Sequence, residues 1–296
     1  MKFTQKFFWL IVLGAIVLGF AWPAPGLFFQ PYLMYLLMVM MFISCLKINV
    51  RDMKLALPMW WRYLVLLVFI FVLPTFLIFL CRGFFSPQIY IGLIIASAVP
   101  SAVSVVFMSD LLCGEPAKAL VASTLAHIVS PLLTPFLVLV FAGQTISVDF
   151  WSMCILIIKL VFIPLLAAQA VRYFDAHELL IKKISFVNTY LLLVLIWGIV
   201  APAQDLVRIH LREVSLATLI VMAVILAEIV ISIWFGRTRR EDITWSVVDL
   251  YKNFTLSSVI ALSMFGPLAV LGSVVYSIAD NIMIVPLQWW AHRKKR

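Results

Sequence analysis

The chain has 296 residues, 65% of them hydrophobic and only 12% charged, with a mean hydropathy of +1.14. No soluble domain of this size needs so much apolar surface, so the composition excludes a soluble enzyme or binding module and points to a polytopic membrane protein. The net charge of +9 is not read as a nucleic-acid surface, because the basic residues cluster at the ends of apolar stretches, where they act as topology signals.

Ten apolar stretches predict membrane helices over 7–22, 30–46, 58–80, 88–112, 117–142, 150–172, 184–203, 215–236, 244–264 and 267–290. Each is long enough to cover about 30 Å of hydrocarbon. Alternating barrel strands are absent, and lipid leaves unpaired backbone groups no partner, so the fold is expected to be all-α. The first stretch follows Lys2 and Lys6 in the manner of a signal peptide, but Ala21-Trp22-Pro23 is a poor cleavage site. It is read as a retained helix. Counting Lys and Arg with the N-terminus inside gives sixteen on the cytoplasmic side and three (Arg82, Arg208, Arg212) on the other. Both termini are therefore expected in the cytoplasm, of a cell inner membrane.

The fourth stretch is interrupted by Pro100, which withdraws an amide donor and disfavours helical geometry at Val99. Ser101 and Ser104 stand next to it to satisfy freed backbone groups. Asp110 and Glu115 flank the following turn and read as interfacial caps. In the fifth stretch Ser123, His127 and Ser130 share a helix face, and a histidine there suits either proton relay or a structural hydrogen bond. Lys159 in the sixth and Glu228 in the eighth each need a counter-charge or a cavity, and are candidate partners for one another.

The ninth stretch is apolar at both ends and ionisable at its centre, with Asp249, Lys252 and Asn253. A charge in the bilayer costs roughly 2.5–3.5 kcal/mol on insertion scales and so usually faces a cavity. On a regular helix Asp249 and Lys252 share a face, open to a structural ion pair or to a site for a substrate carboxylate or a proton. This stretch has no proline or glycine, so its break is inferred from polarity alone. Asp280 and Asn281 lie within the tenth. The four cysteines are scattered, with no C-x-x-C pair, and give neither a metal site nor a disulfide framework.

An odd number of helices per half gives the halves opposite orientations. A shift of 151 residues lays the first five spans on the second five and Ser101 on Lys252. The expected architecture is ten transmembrane helices in two inverted five-helix repeats, 1–146 and 147–296, with helices 4 and 9 broken and crossing near the midplane.

Ala98-Val-Pro100-Ser-Ala-Val-Ser104, Gly114-Glu-Pro-Ala-Lys-Ala-Leu120 and Ser123 to Pro135, ending Pro-Leu-Leu-Thr-Pro, resemble the bile acid:sodium symporter family. Lys252-Asn253 and Tyr276-Ser-Ile-Ala-Asp-Asn281 look like that family's stretches in helices 9 and 10. The resemblance implies a secondary transporter in which a core of helices 3–5 and 8–10 rocks against a panel of helices 1, 2, 6 and 7. It also carries departures. The positions of the family's sodium-liganding Ser-Asn fall on Val105 and Val106, and its helix 9 glutamate and glutamine fall on Val248 and Lys252. Asn253 and Asn281 carry over as candidate substrate contacts, with Asp280 in place of a histidine.

The resulting expectation is a non-enzymatic transporter of a small or amphipathic organic anion, a monomer or homodimer in the lipid bilayer, needing no cofactor. Lys252, Asn253, Asn281, Ser101 and Ser104 are its candidate substrate contacts, and Asp249, Asp280 and His127 its candidate coupling residues. No metal site is expected, since the usual sodium ligands are missing, and proton coupling or a built-in Lys252 charge is expected to stand in. Sodium symport through altered sites, efflux, and a non-transporting sensor are the alternatives.

Overall fold

The computed structural model describes residues 8–46, 58–102, 104–174 and 187–293. Most of the basic residues at the chain ends and in the loops before Met59 and Val187, used above to count orientation, lie outside them. Among the described residues the chain is helical, with no strand longer than a single bridge.

Among the described residues seven helices are long and apolar enough to cross a membrane. They are α2 (Pro23–Cys45), α3 (Trp60–Leu80), α6 (Pro116–Ala142), α7 (Phe150–Tyr173), Tyr190–Ile209 (α8, Val187–Val200, continued by the short α9, Gln204–Ile209), α10 (Leu211–Phe235) and a last stretch, Pro267–Ala291, that falls mostly in α13 (Val270–Arg293). Helix α1 (Phe8–Ala21) precedes them. Two further apolar stretches are split: α4 (Pro87–Ser97) with α5 (Val105–Leu111), and α11 (Arg239–Leu250) with α12 (Phe254–Phe265).

Two boundaries differ from the hydropathy reading. Helix α2 begins at Pro23 instead of residue 30, because prolines fit the first helical turn and Pro31 is absorbed in a 3-10 turn over Gln30–Tyr32. Helix α11 begins at Arg239 instead of 244. There Thr238 accepts a hydrogen bond from the Glu241 amide, and Glu241 and Asp242 occupy the positive first turn. Composition had hidden this capped, charged turn behind the apolar run.

Prolines inside helices leave carbonyls without their i+4 donor, and local groups fill them. Ser130 Oγ donates to the His127 carbonyl that Pro131 frees. Helix α3 opens into a π turn over Val68–Val72 just before Pro74. Thr134 Oγ1 donates to Ala98 O, one of the carbonyls left at the end of α4.

Helices α4 and α13 approach to backbone contact at Gly92 and Gly272. A methyl group on Gly92 would stand 1.9 Å from Ala269 O. Large exposed aromatics, among them Trp60, Trp61 and Trp234 near one end and Trp22, Phe84 and Trp151 near the other, mark the two interfaces of a membrane-embedded body.

Candidate functional site

Both split stretches break at one level and cross there. After Ser97 the chain leaves helical geometry, and after Leu250 it turns extended at Tyr251. Ser101 and Lys252 form an antiparallel bridge, with Ala102 N donating to Tyr251 O at 2.9 Å and Asn253 N to Pro100 O at 2.9 Å. Backbone that has left its helix inside the membrane must find partners within the protein, and each arm supplies them to the other. Pro100 accounts for the first break. The second has its own local cause: Asn253 is the N-cap of α12, its Oδ1 accepting from Leu256 N at 3.2 Å and from Thr255 Oγ1 at 2.9 Å.

Around the crossing lie one ammonium and three carboxylates, all buried: Lys252, Glu228 of α10, Asp249 of α11 and Asp280 of α13. Lys252 Nζ stands 3.9 Å from Glu228 Oε1 and donates to Ile70 O of α3. Asp249 Oδ2 accepts from Ser232 Oγ at 3.0 Å, and Asp280 lies against the Lys252 backbone amide. The Glu228 carboxylate is within electrostatic reach of Asp249, Lys252 and Asp280. Among the described residues, both Glu228 oxygens, Asp249 Oδ1, Asp280 Oδ1 and Ser101 Oγ are buried with no hydrogen-bond partner. If every group were ionised the cluster would carry an excess of two negative charges in a low-dielectric interior. Such an arrangement calls for protons or a bound cation.

The sequence reading is met in part. Ser101, Lys252, Asp249 and Asp280 do come together. Asp249 and Lys252 do not form the direct ion pair of a regular helix, because α11 ends at Leu250 and Lys252 sits on the extended arm. Glu228, not Asp249, is the carboxylate within ion-pair distance of Lys252. Lys159 is exposed on α7, so the candidate Lys159–Glu228 pair is not formed.

Asn253 spends its oxygen on the cap, while its Nδ2 points to Met41 Sδ at 3.8 Å. Asn281 Nδ2 bonds within its own helix to Ser277 O at 2.7 Å. Ser104 is half-buried at the start of α5. His127 is buried, with Nδ1 2.7 Å from Ser123 O in the same helix, and its Nε2 has no hydrogen-bond partner among the described residues. Sequence reasoning singled out Glu228 but paired it with Lys159 in place of Lys252, and it missed the Ile70 carbonyl as the second component. The signal for the second was present in Pro74, whose i−4 residue is Ile70.

Beside the crossing, a narrow apolar crevice lies between α1 and α8 on one side (Ile16, Ile196, Val200) and α12 and α13 on the other (Phe254, Ser258, Ser277). The Ser258 and Ser277 hydroxyls are buried there without a hydrogen-bond partner among the described residues.

At the end of the molecule that carries Arg62, a second charge network joins α3, α6 and α11. Arg62 meets Glu241 at 2.9 Å, Lys118 bonds both Glu241 and Glu115, and the Arg237 amide donates to Glu241 Oε2 at 3.0 Å. Glu115 precedes α6 without a side-chain cap bond, and its amide donates to Thr244 Oγ1 of α11 at 2.7 Å. Arginines at this end close the carbonyl ends of neighbouring helices: Arg62 on Phe235 O, Arg239 on Ala291 O, Arg240 on Gly114 O and Arg172 on Leu46 O.

Residues 5–282 match the family model of the SBF-like CPA transporter family. The chain is 23% identical over 299 residues to a Bacillus subtilis (strain 168) protein named uncharacterized sodium-dependent transporter YocS, covering 97% of this chain and 91% of that one. It is 26% identical over 157 residues to sodium/bile acid cotransporter 7 of Danio rerio, covering 52% of this chain and 47% of that protein.

Proposed function

The chain belongs to the SBF-like CPA transporter family, and on that premise we propose that it is a cation-coupled secondary transporter of a small or amphipathic organic anion. The observation that carries this reading is the excess of buried carboxylates, Glu228, Asp249 and Asp280, over the single ammonium of Lys252 at the crossing. The cluster takes up a proton or a sodium ion, and loading changes the charge at the point where the two broken stretches meet. The names of the two relatives specify sodium, which makes sodium the first ion to test. The valines at Val105 and Val106 argue that it would use this carboxylate cluster and not the ligands usual in bile acid:sodium symporters.

Lys252 itself is engaged by Ile70 O and Glu228, so it acts in coupling, and the anion is taken in the crevice beside the crossing, near Ser258 and Ser277. Transport proceeds by rocking of a core (α3 to α6 and α10 to α13) against a panel (α1, α2, α7 and α8), with both termini cytoplasmic in an inner membrane. Two observations support this division. The hydrogen bonds of Arg62, Lys118, Tyr90, Thr134, Lys252 and Arg240 join core to core, and those of Arg172, Asn188 and Trp197 join panel to panel. Across the two groups Asn253 makes a long contact to the Met41 sulfur. An inverted repeat is supported by the bridge itself: Ser101 and Lys252 occupy matching positions of the two halves, and residues on a pseudo-twofold axis meet their own counterparts.

The test is thermal stability of the purified protein in detergent, with sodium or choline chloride, across pH and a panel of organic anions, for wild type and Asp280→Asn. Stabilisation by sodium or by acid that the substitution weakens supports the reading. A melting temperature indifferent to both ions would remove it. Sodium-driven or pH-driven uptake of the stabilising anion into proteoliposomes then separates symport from binding without flux.

A further inference from the structure

Lys252 donates to a carbonyl that its own helix has made available. In an uninterrupted α-helix Ile70 O would accept from the amide of residue 74, but residue 74 is proline and has none. The π turn over Val68–Val72 already commits Leu73 N to Val68 O, and Thr75 Oγ1 is committed to Phe71 O at 2.6 Å. Ile70 O therefore lacks the donor that residue 74 would supply, at a fully buried position, and it is there that the Lys252 ammonium docks across 182 residues of sequence.

This acceptor differs in kind from the others near Lys252. Glu228, Asp249 and Asp280 all lose their charge on protonation, whereas a carbonyl accepts in every state of the site. His127 of α6, a helix packed on the π turn, and Tyr251 and Tyr276 beside the carboxylates are further buried titratable groups nearby, and the His127 ring bonds within its own helix. An ammonium held only by carboxylates would follow whichever of them remained charged. One acceptor fixed on α3 keeps it at the crossing through the whole cycle.

Resting on the coupling site proposed above, we propose that Pro74 is a positioning residue: by withholding an amide from Ile70 O it reserves a proton-independent dock that anchors Lys252 to α3.

The test replaces Pro74 by two residues of similar size. Pro74→Ala restores an amide that competes for Ile70 O. Lactate at position 74, introduced by nonsense suppression, makes a backbone ester that lacks the amide as proline does. Melting temperature is followed in detergent from about pH 5 to about pH 9, with sodium or choline chloride as the only variable ion. In Pro74→Ala the pH midpoint of the sodium-dependent stabilisation shifts acidward by about one unit, because the charged lysine has lost an acceptor. The ester variant keeps the wild-type midpoint. A change in melting temperature alone, with the midpoint unmoved in Pro74→Ala, would make the proline merely architectural and overturn the inference. So would an ester variant that shifts, and this second arm stands if Pro74→Ala fails to fold. A wild-type protein flat in both pH and sodium would defeat the coupling site itself, which keeps the two failures apart.

Discussion

Gly92 and Gly272 meet backbone to backbone: a Cβ on Gly272 would lie 2.1 Å from the Gly92 carbonyl carbon and 2.3 Å from Leu93 N. No side chain can rotate away from such a clash, since the atoms struck are main chain. Helices α4 and α13 carry the first arm of the crossing and Asp280, so this contact sets their separation. Gly272→Ala is expected to cost about 1–3 kcal/mol as an overpacking substitution, and more if the helices cannot part. Thermal unfolding in detergent reads this, and a variant as stable as wild type would show that the helices stand further apart than described.

Thr134→Val probes the end of α4. Thr134 Oγ1 is 2.6 Å from Ala98 O, and both residues are buried. The isosteric valine keeps the packing and strands a carbonyl, at a cost of about 1–3 kcal/mol. Thr134→Ser should recover most of that loss, which separates the hydrogen bond from the methyl contact.

Asn253 gives two substitutions with opposite outcomes. Asn253→Ala removes the acceptor that caps α12 and should destabilise by about 0.5–2 kcal/mol, whereas Asn253→Ser keeps a capping oxygen and should stay near wild type. If both variants melt alike but lose anion-induced stabilisation together, the amide contacts substrate and its cap is incidental.

Glu241 lies in the first turn of α11, ahead of the apolar run. Burial works to raise its carboxyl, but hydrogen bonds from Lys118, the Arg237 amide and Arg62 outweigh it and bring it from 4.5 down to about 2. A carboxyl held low in the folded state contributes stability that is whole above 4.5 and disappears as pH falls towards about 2. Glu241→Gln strands buried Arg62 and is expected to destabilise by about 3–5 kcal/mol near neutral pH. The gap between variant and wild type should then narrow below the ordinary carboxylate range. A gap that stays constant with pH would assign Glu241 a packing role.

How much of this was legible in the sequence depended on whether the signal was local. Pro100 announced the first break, because the loss of an amide is a property of one residue. The second break was announced just as locally by Asn253, whose capping preference was read instead as a substrate contact. Ranges of hydropathy located the membrane-length helices well but placed the starts of α2 and α11 late, where prolines and a capped acidic turn interrupt the apolar pattern. Pairing was the least legible. Lys159 and Glu228 are matched by burial on paper, yet only the fold reveals that α7 turns Lys159 outward while the arm at Lys252 reaches α10. Helical spacing suggested Asp249 for Lys252 and failed because the helix stops between them.

The dock at Ile70 also bears on biosynthesis. Ile70 is made 182 residues before Lys252, so throughout insertion of the intervening helices the carbonyl that Pro74 deprives of an amide is without its lysine partner. A nascent chain released before the second crossing arm emerges would expose that carbonyl to lipid or to the translocation machinery. The two halves are thus expected to form one obligate unit of assembly, finished only when the late-made lysine reaches the early-made carbonyl.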